Sequence, residues 1–325
     1  MKYAKQTRPN GAALHEAKVL IDALPWIKNV TGKTIVIKYG GSAMVDEKLR
    51  TDVMNDIVLL KLIGANPILV HGGGKAITDA MARANIPVEF KNGQRVTTPE
   101  AMSIVREVLI GKVNQDLVRA LNSHGMIAVG VSGADAGVLM AEPIDPELGR
   151  VGKVTRINRV LLDDLIAHDY IPVVASVALG EDGDFYNVNA DKAAGALAGA
   201  VKANKVIFLT DVDGVYENFE DKDSLISNMT LSEAEDMIEA REISSGMIPK
   251  LESCVQALKA GVFRAHILNG TMPHSLLLEL LTSVGVGTTI HETDEACQYD
   301  AHPLGKFAAK LTENIDSQSI LIGEE

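Results

Sequence analysis

Thr34-Ile35-Val36-Ile37 runs straight into Lys38-Tyr39-Gly40-Gly41-Ser42, and Ile68-Leu69-Val70 runs into His71-Gly72-Gly73-Gly74-Lys75. Each short aliphatic run reads as a strand buried on both faces, and each opens on a glycine loop. Between them Leu49, Val53, Ile57 and Leu60 recur at steps of three and four, which marks one face of a helix. Strand, glycine loop and helix, twice over, is the rhythm of an open parallel sheet.

The reading extends in both directions. Further strands are expected at 127–131, 171–175, 205–209 and 263–268, and helices at 99–122, 190–201, 231–240 and 247–260. Lys91-Asn92-Gly93 predicts a hairpin turn within 88–98, and Glu181-Asp182-Gly183-Asp184 a second hairpin tip. Ahead of the first strand, Ala13, Leu14, Ala17, Leu20, Ile21 and Leu24 outline an amphipathic helix expected to end near Pro25. The expected fold is α/β: an open, mainly parallel sheet sandwiched between helices, with an extra N-terminal helix. Residues 1–30 form that helical unit, 31–180 an N-terminal lobe and 181–290 a C-terminal lobe. No low-complexity linker separates the lobes, so they are expected to share one sheet. Residues 291–325 carry eight acidic and two basic side chains, half of the net charge of the chain, and read as a solvated acidic tail.

Composition narrows the function. The chain has 325 residues, 46% of them hydrophobic and 4% aromatic, which suits parallel strands covered by helices. A net charge of -12 argues against a nucleic-acid partner. Cys254 and Cys297 have neither metal-ligand nor disulfide spacing, which fits a reducing cytoplasm. There is no run of 18 apolar residues and no apolar N-terminal stretch, so neither a membrane span nor a signal peptide is expected.

Ligands in open α/β sheets bind at the C-terminal ends of the strands. Both glycine loops are expected there, where backbone N–H groups and helix N-termini face an anion. Gly32-Lys33-Thr34 mimics the end of a P-loop, but Ile27 stands where the first glycine belongs and the triplet precedes a strand. Asn187-Val188-Asn189-Ala190-Asp191 opens an Ala-rich helix, and capping accounts for one of its polar residues, not three. Thr210-Asp211-Val212-Asp213-Gly214 ends a strand. Gly246-Met247-Ile248-Pro249-Lys250 puts a cation in the first turn of a helix, against the dipole, which suits an anionic ligand.

These motifs, in this order and together with Gly93-Gln94-Arg95-Val96-Thr97, resemble the amino acid kinase family and within it the N-acetylglutamate kinase branch, over about residues 12 to 290. The chain departs from the pattern at Lys75, where proline is common, and at Ala134, where many members carry lysine. The resemblance implies transfer of the ATP γ-phosphate to the γ-carboxylate of N-acetyl-L-glutamate, with Mg2+ and no metal bound by the protein alone. Lys38, Lys250 and Asp191 become the catalytic set, with Asp191 between the two lysines. Gly73, Gly74, Arg95 and Asn187 hold the substrate, and Gly40, Gly41, Asp211 and Gly214 hold ATP. The substrate carboxyl has a pKa of about 4.3, so no general base is needed and the barrier is repulsion between anions.

The arginine-sensitive type is implied as well. His266, Glu279 and Gly285, with Asn269 nearby, are expected to bind L-arginine as inhibitor, and the N-terminal helix to interlace subunits into a hexamer built as a trimer of dimers. The resemblance leaves open a regulatory partner of the PII type. Two alternatives stand beside it: a kinase for a related amino acid, and a catalytically silent arginine sensor.

Overall fold

The computed structural model describes residues 11–292 apart from 45, 92, 241, 242 and 245. Residues 1–10 of the expected helical unit, position 92 of the expected turn, and 293–325 of the expected tail, Cys297 included, lie outside the described residues.

Two helices, α1 (Gly11–Asp22) and α2 (Leu24–Val30), precede β1 (Thr34–Tyr39), α3 (Glu47–Leu62), β2 (Asn66–His71) and α4 (Gly74–Arg83). A hairpin of β3 (Phe90–Lys91) and β4 (Gln94–Arg95) leads to a continuous helical run. That run is α5 (Pro99–Arg106), a π-helical segment (Glu107–Asn114) and α6 (Gln115–Asn122). Then come β5 (Ala128–Ser132), β6 (Leu139–Pro143), β7 (Val151–Ile157), α7 (Val160–Ala167), β8 (Ile171–Ala175), β9 (Val177–Gly180) and β10 (Phe185–Val188). The second half follows with α8 (Ala190–Ala200), β11 (Lys205–Thr210), β12 (Val215–Tyr216), β13 (Leu225–Ile226), β14 (Asn228–Thr230) and α9 (Leu231–Ala240). It closes with α10 (Ile248–Lys259), β15 (Arg264–Asn269), α11 (Ser275–Leu281) and β16 (Thr288–His291).

The central sheet has the order β14-β16-β15-β11-β1-β2-β8-β5, and only the β15/β16 pair is antiparallel. Strands from both expected lobes lie in it. Alternate residues face opposite layers, as strand geometry demands. Ile35, Ile37, Leu69 and Ile207 pack with apolar residues of α3, α4 and α11, while Val36, Ile68, Val206 and Phe208 pack with α8 and α10. Both faces are covered, which is why these strands read as continuous apolar runs rather than alternating ones.

Two elements differ from expectation. The N-terminal helix ends at Asp22, near Pro25 as expected, but a second helix follows at once: Pro25 sits in the first turn of α2, where its missing N–H costs nothing, and this helix runs to Val30. The strands β6, β7, β9 and β10 close into a small separate sheet. Of that sheet only the β9–β10 hairpin around Glu181–Asp184 was legible, because short paired strands of mixed polarity carry little periodic signal.

Candidate active site

Lys38 lies near the C-terminal end of β1, on the face that meets α8. Its Nζ is 2.9 Å from Oδ1 of Asp191, the second residue of α8. Asp191 is free for this role because Asn189 is the helix cap, accepting from the N–H groups of Asp191 and Lys192. Lys250, in the first turn of α10, reaches Asp191 Oδ2 at 3.3 Å. It gets there because α8 and α10 pack through glycine. A Cβ on Gly195 would stand 2.8 Å from the Ser253 carbonyl oxygen, and one on Gly199 2.5 Å from Ala260 Cβ. Burial by itself would raise the Asp191 carboxyl. The charges of Lys38 and Lys250 outweigh it and hold the carboxyl below its ordinary range. The result is a buried lysine–aspartate–lysine triad with one positive charge in excess.

Both glycine loops converge on this triad. A Cβ on Gly40 would lie 3.0 Å from Lys38 Nζ, so the ammonium rests directly on loop backbone, and Gly41 has φ +74°, the left-handed region that favours glycine. In the second loop a Cβ on Gly72 would meet Ala190 at 3.3 Å, one residue from Asp191. Gly73 caps α4, and a Cβ there would overlap Leu109 at 2.7 Å.

Arg95 is buried beside the second loop. Its Nη2 donates to the Gly74 carbonyl at 3.0 Å and to Thr78 Oγ1 at 2.7 Å, and its guanidinium lies 4.7 Å from the centre of the Phe90 ring. Asn187 joins it through Thr97: Asn187 Nδ2 donates to Thr97 Oγ1 at 3.2 Å, and Thr97 Oγ1 donates to the Arg95 carbonyl at 2.9 Å. Gly73, Gly74, Arg95 and Asn187 thus form one connected wall. The departures are peripheral to it: Lys75 is exposed and Ala134 half-buried.

Across the triad, β11 pairs with β1, so Asp211 and Gly214 leave the sheet beside the first glycine loop. A Cβ on Gly214 would lie 2.4 Å from Thr288 Oγ1, so only glycine lets this turn seat against β16. Asp213 accepts from Tyr216 and Asn269, both contacts holding it ionised. Asn269 is therefore a strut of this turn and not a member of the inhibitor cluster expected from sequence. Val212, Val215, Tyr216 and Met247 line a small apolar slot next to Gly214. A larger cavity of about 900 Å³ opens from Gly41, Gly73 and Gly74 toward Lys75, Lys112 and Thr271. Among the described residues, no group of three or more His, Cys, Asp or Glu side chains could hold a metal ion, and no helix is long and apolar enough to cross a membrane.

His266 and Glu279 meet, but in a second cluster with no contact to the triad. His266 Nδ1 donates to Glu279 Oε1 at 2.8 Å, Thr289 Oγ1 to the same oxygen at 2.9 Å, and the Val286 N–H to Oε2 at 3.0 Å. Burial would raise the Glu279 carboxyl, yet these donors bring it down to about 2. Glu279 is thus already engaged rather than waiting for a guanidinium. Gly285 is exposed, and a Cβ there would lie 3.8 Å from Oε2. The sequence reading passed over Lys205 because it begins a strand with no motif around it. It is 4% exposed, and burial together with the charge of Arg264 lowers it to about 7. No hydrogen bond or ion pair to it is formed among the described residues.

A mainly parallel sheet with two glycine loops around paired lysines is a layout suited to phosphoryl transfer. The amino acid kinase family model matches residues 33–269, and the chain belongs to that family. It is 50% identical over 282 residues to the acetylglutamate kinase of Caldanaerobacter subterraneus subsp. tengcongensis, covering 86% of this chain and 94% of that protein. The acetylglutamate kinase of Petrotoga mobilis is 49% identical, with 85% and 93% covered. Among solved structures, N-acetylglutamate synthase from Neisseria gonorrhoeae in complex with coenzyme A and N-acetyl-glutamate superposes with a TM-score of 0.75 at 25% identity. The match covers 85% of this chain, which spans 63% of the synthase chain.

Proposed function

We propose that this chain transfers the γ-phosphoryl group of ATP to the γ-carboxylate of N-acetyl-L-glutamate, forming N-acetyl-L-glutamyl 5-phosphate, the second step of arginine biosynthesis. The observation that carries the reading is the Asp191 carboxylate bridging Lys38 and Lys250 at the meeting point of both glycine loops. Two ammonium groups side by side need a carboxylate to stay ordered when no polyanion is present. When ATP enters, the surplus positive charge meets the phosphates without reorganisation.

In this reading Lys38 spans the transferring group and Lys250 lies toward the nucleotide. Gly40 and Gly41 supply N–H groups to the phosphates, Asp211 and Gly214 border the nucleotide, and the slot beside Tyr216 takes the adenine. Residues 181–290 thus hold most of ATP and 31–180 most of the acid, with Gly40 and Gly41 reaching the phosphates and Asn187 the acid from the opposite lobe. Magnesium, carried by the ATP phosphates, neutralises part of their charge. Arg95 retains N–H donors, its Nε–H among them, for the substrate α-carboxylate. Asn187, braced by Thr97, faces the rest of the acid. A silent arginine sensor has no need of the intact triad. A coupled ADP-release assay with N-acetyl-L-glutamate, L-glutamate and L-aspartate side by side tests substrate class. Preferential turnover of the acetylated acid supports the reading, and equal turnover of glutamate overturns it.

Control by L-arginine belongs to the same proposal. The cluster around His266 and Glu279 holds the Lys205 ammonium desolvated and without a hydrogen-bonded anion, complementary to the carboxylate of an amino acid. Leu14, Leu20 and Ile21 of α1 are more than half exposed, so the apolar stripe is not spent on the protein's own core. That supports its use between subunits, as in a hexamer with interlaced helices.

A further inference from the structure

We infer that His71 and Asn114 act as positioning residues that aim the Gly73 N–H into the crevice, an inference that rests on the proposed phosphoryl transfer. The carbonyls of the second glycine loop are all tied back. The His71 oxygen accepts from Ser176 N at 3.2 Å and the Gly73 oxygen from Ile77 N at 2.9 Å. The Gly74 oxygen takes Arg95 Nη2 and Thr78 Oγ1, both at 3.0 Å. The Gly72 oxygen takes His71 Nδ1 at 3.0 Å. In a trans peptide the C=O and the next N–H point opposite ways. Fixing the Gly72 oxygen on the imidazole therefore turns the Gly73 N–H outward, and among the described residues no acceptor takes the N–H of Gly73 or Gly74.

The imidazole can do this only with its proton on Nδ1. Asn114 enforces that tautomer. Its Nδ2 lies 3.0 Å from His71 Nε2 and donates to the Val173 carbonyl at 2.8 Å, so Nε2 faces a donor and must be the acceptor. Asn114 is itself locked: a Cβ on Gly130 would sit 2.1 Å from its Oδ1. His71 is fully buried, and burial lowers its pKa to about 4, which keeps the ring neutral across the working range. Asn114 ends the π-helical segment, and Leu109 and Val113 of that segment press on Gly73 from beneath. A π-turn in a long helix often marks a functional site, and here it brings three contacts onto one loop.

Three measurements test this. The 15N spectrum of His71 in the ligand-free protein should report the Nδ1–H tautomer; the Nε2–H tautomer overturns the inference whatever the substrate. Asn and Leu have the same number of side-chain heavy atoms and the same branching at Cγ, and Asn keeps a donor where Nδ1 stands. His71→Asn should keep kcat within a few-fold, whereas His71→Leu should lose on the order of 10²-fold, even though Leu suits a buried site better for stability. Equal losses would mean a purely structural role. Asn114→Asp should accept from Nε2 and strip Nδ1 of its proton, lowering kcat at neutral pH and restoring it as pH falls through the new His71 pKa. A flat profile contradicts the inference. The expected tautomer in a protein that turns over none of the three acids would instead count against the proposed function.

Discussion

Two buried carboxylates, Asp191 and Glu279, sit at comparable depth and are stabilised in opposite ways. Asp191 is flanked by two full charges, Lys38 and Lys250. Glu279 is satisfied by a neutral imidazole, a hydroxyl and a backbone N–H, while Lys205 nearby is left without a contacting anion. The crevice triad carries one positive charge in excess, whereas Lys205 and Glu279 balance each other at most. In the crevice that excess lies on two ammoniums braced across one carboxylate and fronted by glycine loops, the layout for a polyanion. In the second cluster there is no such excess, but one desolvated ammonium lies apart from the groups that satisfy Glu279, the layout for a single carboxylate. Both clusters thus hold a lysine ready for an anion, on different scales.

The harshest test removes the crevice charge. Lys38→Met should cost about 3–4 kcal/mol of transition-state stabilisation, or roughly 10²–10³ in kcat, as when a preorganised donor is removed. Circular dichroism should be unchanged, and near-normal kcat would take Lys38 out of the mechanism.

A smaller effect is expected at the substrate wall. Arg95→Lys keeps the charge but cannot hold Gly74 and Thr78 while clamping a carboxylate. KM for the acetylated acid should rise about tenfold or more, matching the roughly 1.5–3 kcal/mol of a charge-assisted hydrogen bond. KM for ATP should stay constant; a rise confined to ATP would move Arg95 off the acid.

The second cluster makes a pH prediction with a definite sign. Below about 7 Lys205 is already charged, and the Kd of L-arginine should be flat. Above that value binding must first protonate the amine, and Kd should climb by up to about tenfold per pH unit. Lys205→Met should weaken binding, erase the slope and leave basal kcat unchanged. Calorimetry with arginine provides both readings, and an unchanged slope in the variant would dissolve the parallel between the clusters.

The mildest test falls on the seam between the regions. His274, which precedes α11, has its Nδ1 2.6 Å from Oδ1 of Asp56 in α3. Burial raises Asp56 to about 6, and the Asp56 contact raises His274. Both folded-state values lie above their unfolded ones, so the Asp56 share of the stability is present at low pH and is lost as pH rises through about 6, while the His274 share is lost only as pH rises further, above the ordinary imidazole value of 6.5. Asp56→Asn should flatten the fall of Tm with pH by a few degrees, ~3 °C. A parallel curve would mean that the pair does not titrate as described.

The comparison also separates what the sequence disclosed from what it hid. The glycine loops, Lys38, Asp191 and Lys250 were legible because each stands where a strand or helix begins or ends, and such junctions carry punctuation. Lys205 begins its strand with no motif around it, and Asn114 lies within one continuous helical run, so neither polar residue stands out from its neighbours. Asn269 misled because position along a strand says nothing about which neighbouring turn a side chain will brace. The π-helical segment left no trace either: its apolar spacing continues that of the helices around it. Thr78 became visible only when the fold set it against Arg95, and Thr97, though part of a quoted motif, gained its role as a brace of Asn187 only there.

The central claim is that the triad and the two loops make an acyl phosphate. Hydroxylamine added to the reaction should trap a hydroxamate with wild-type protein only when ATP, Mg2+ and N-acetyl-L-glutamate are all present, and the yield should collapse in Lys38→Met. ATP consumption without hydroxamate, or hydroxamate formed equally well from unacetylated glutamate, would contradict it.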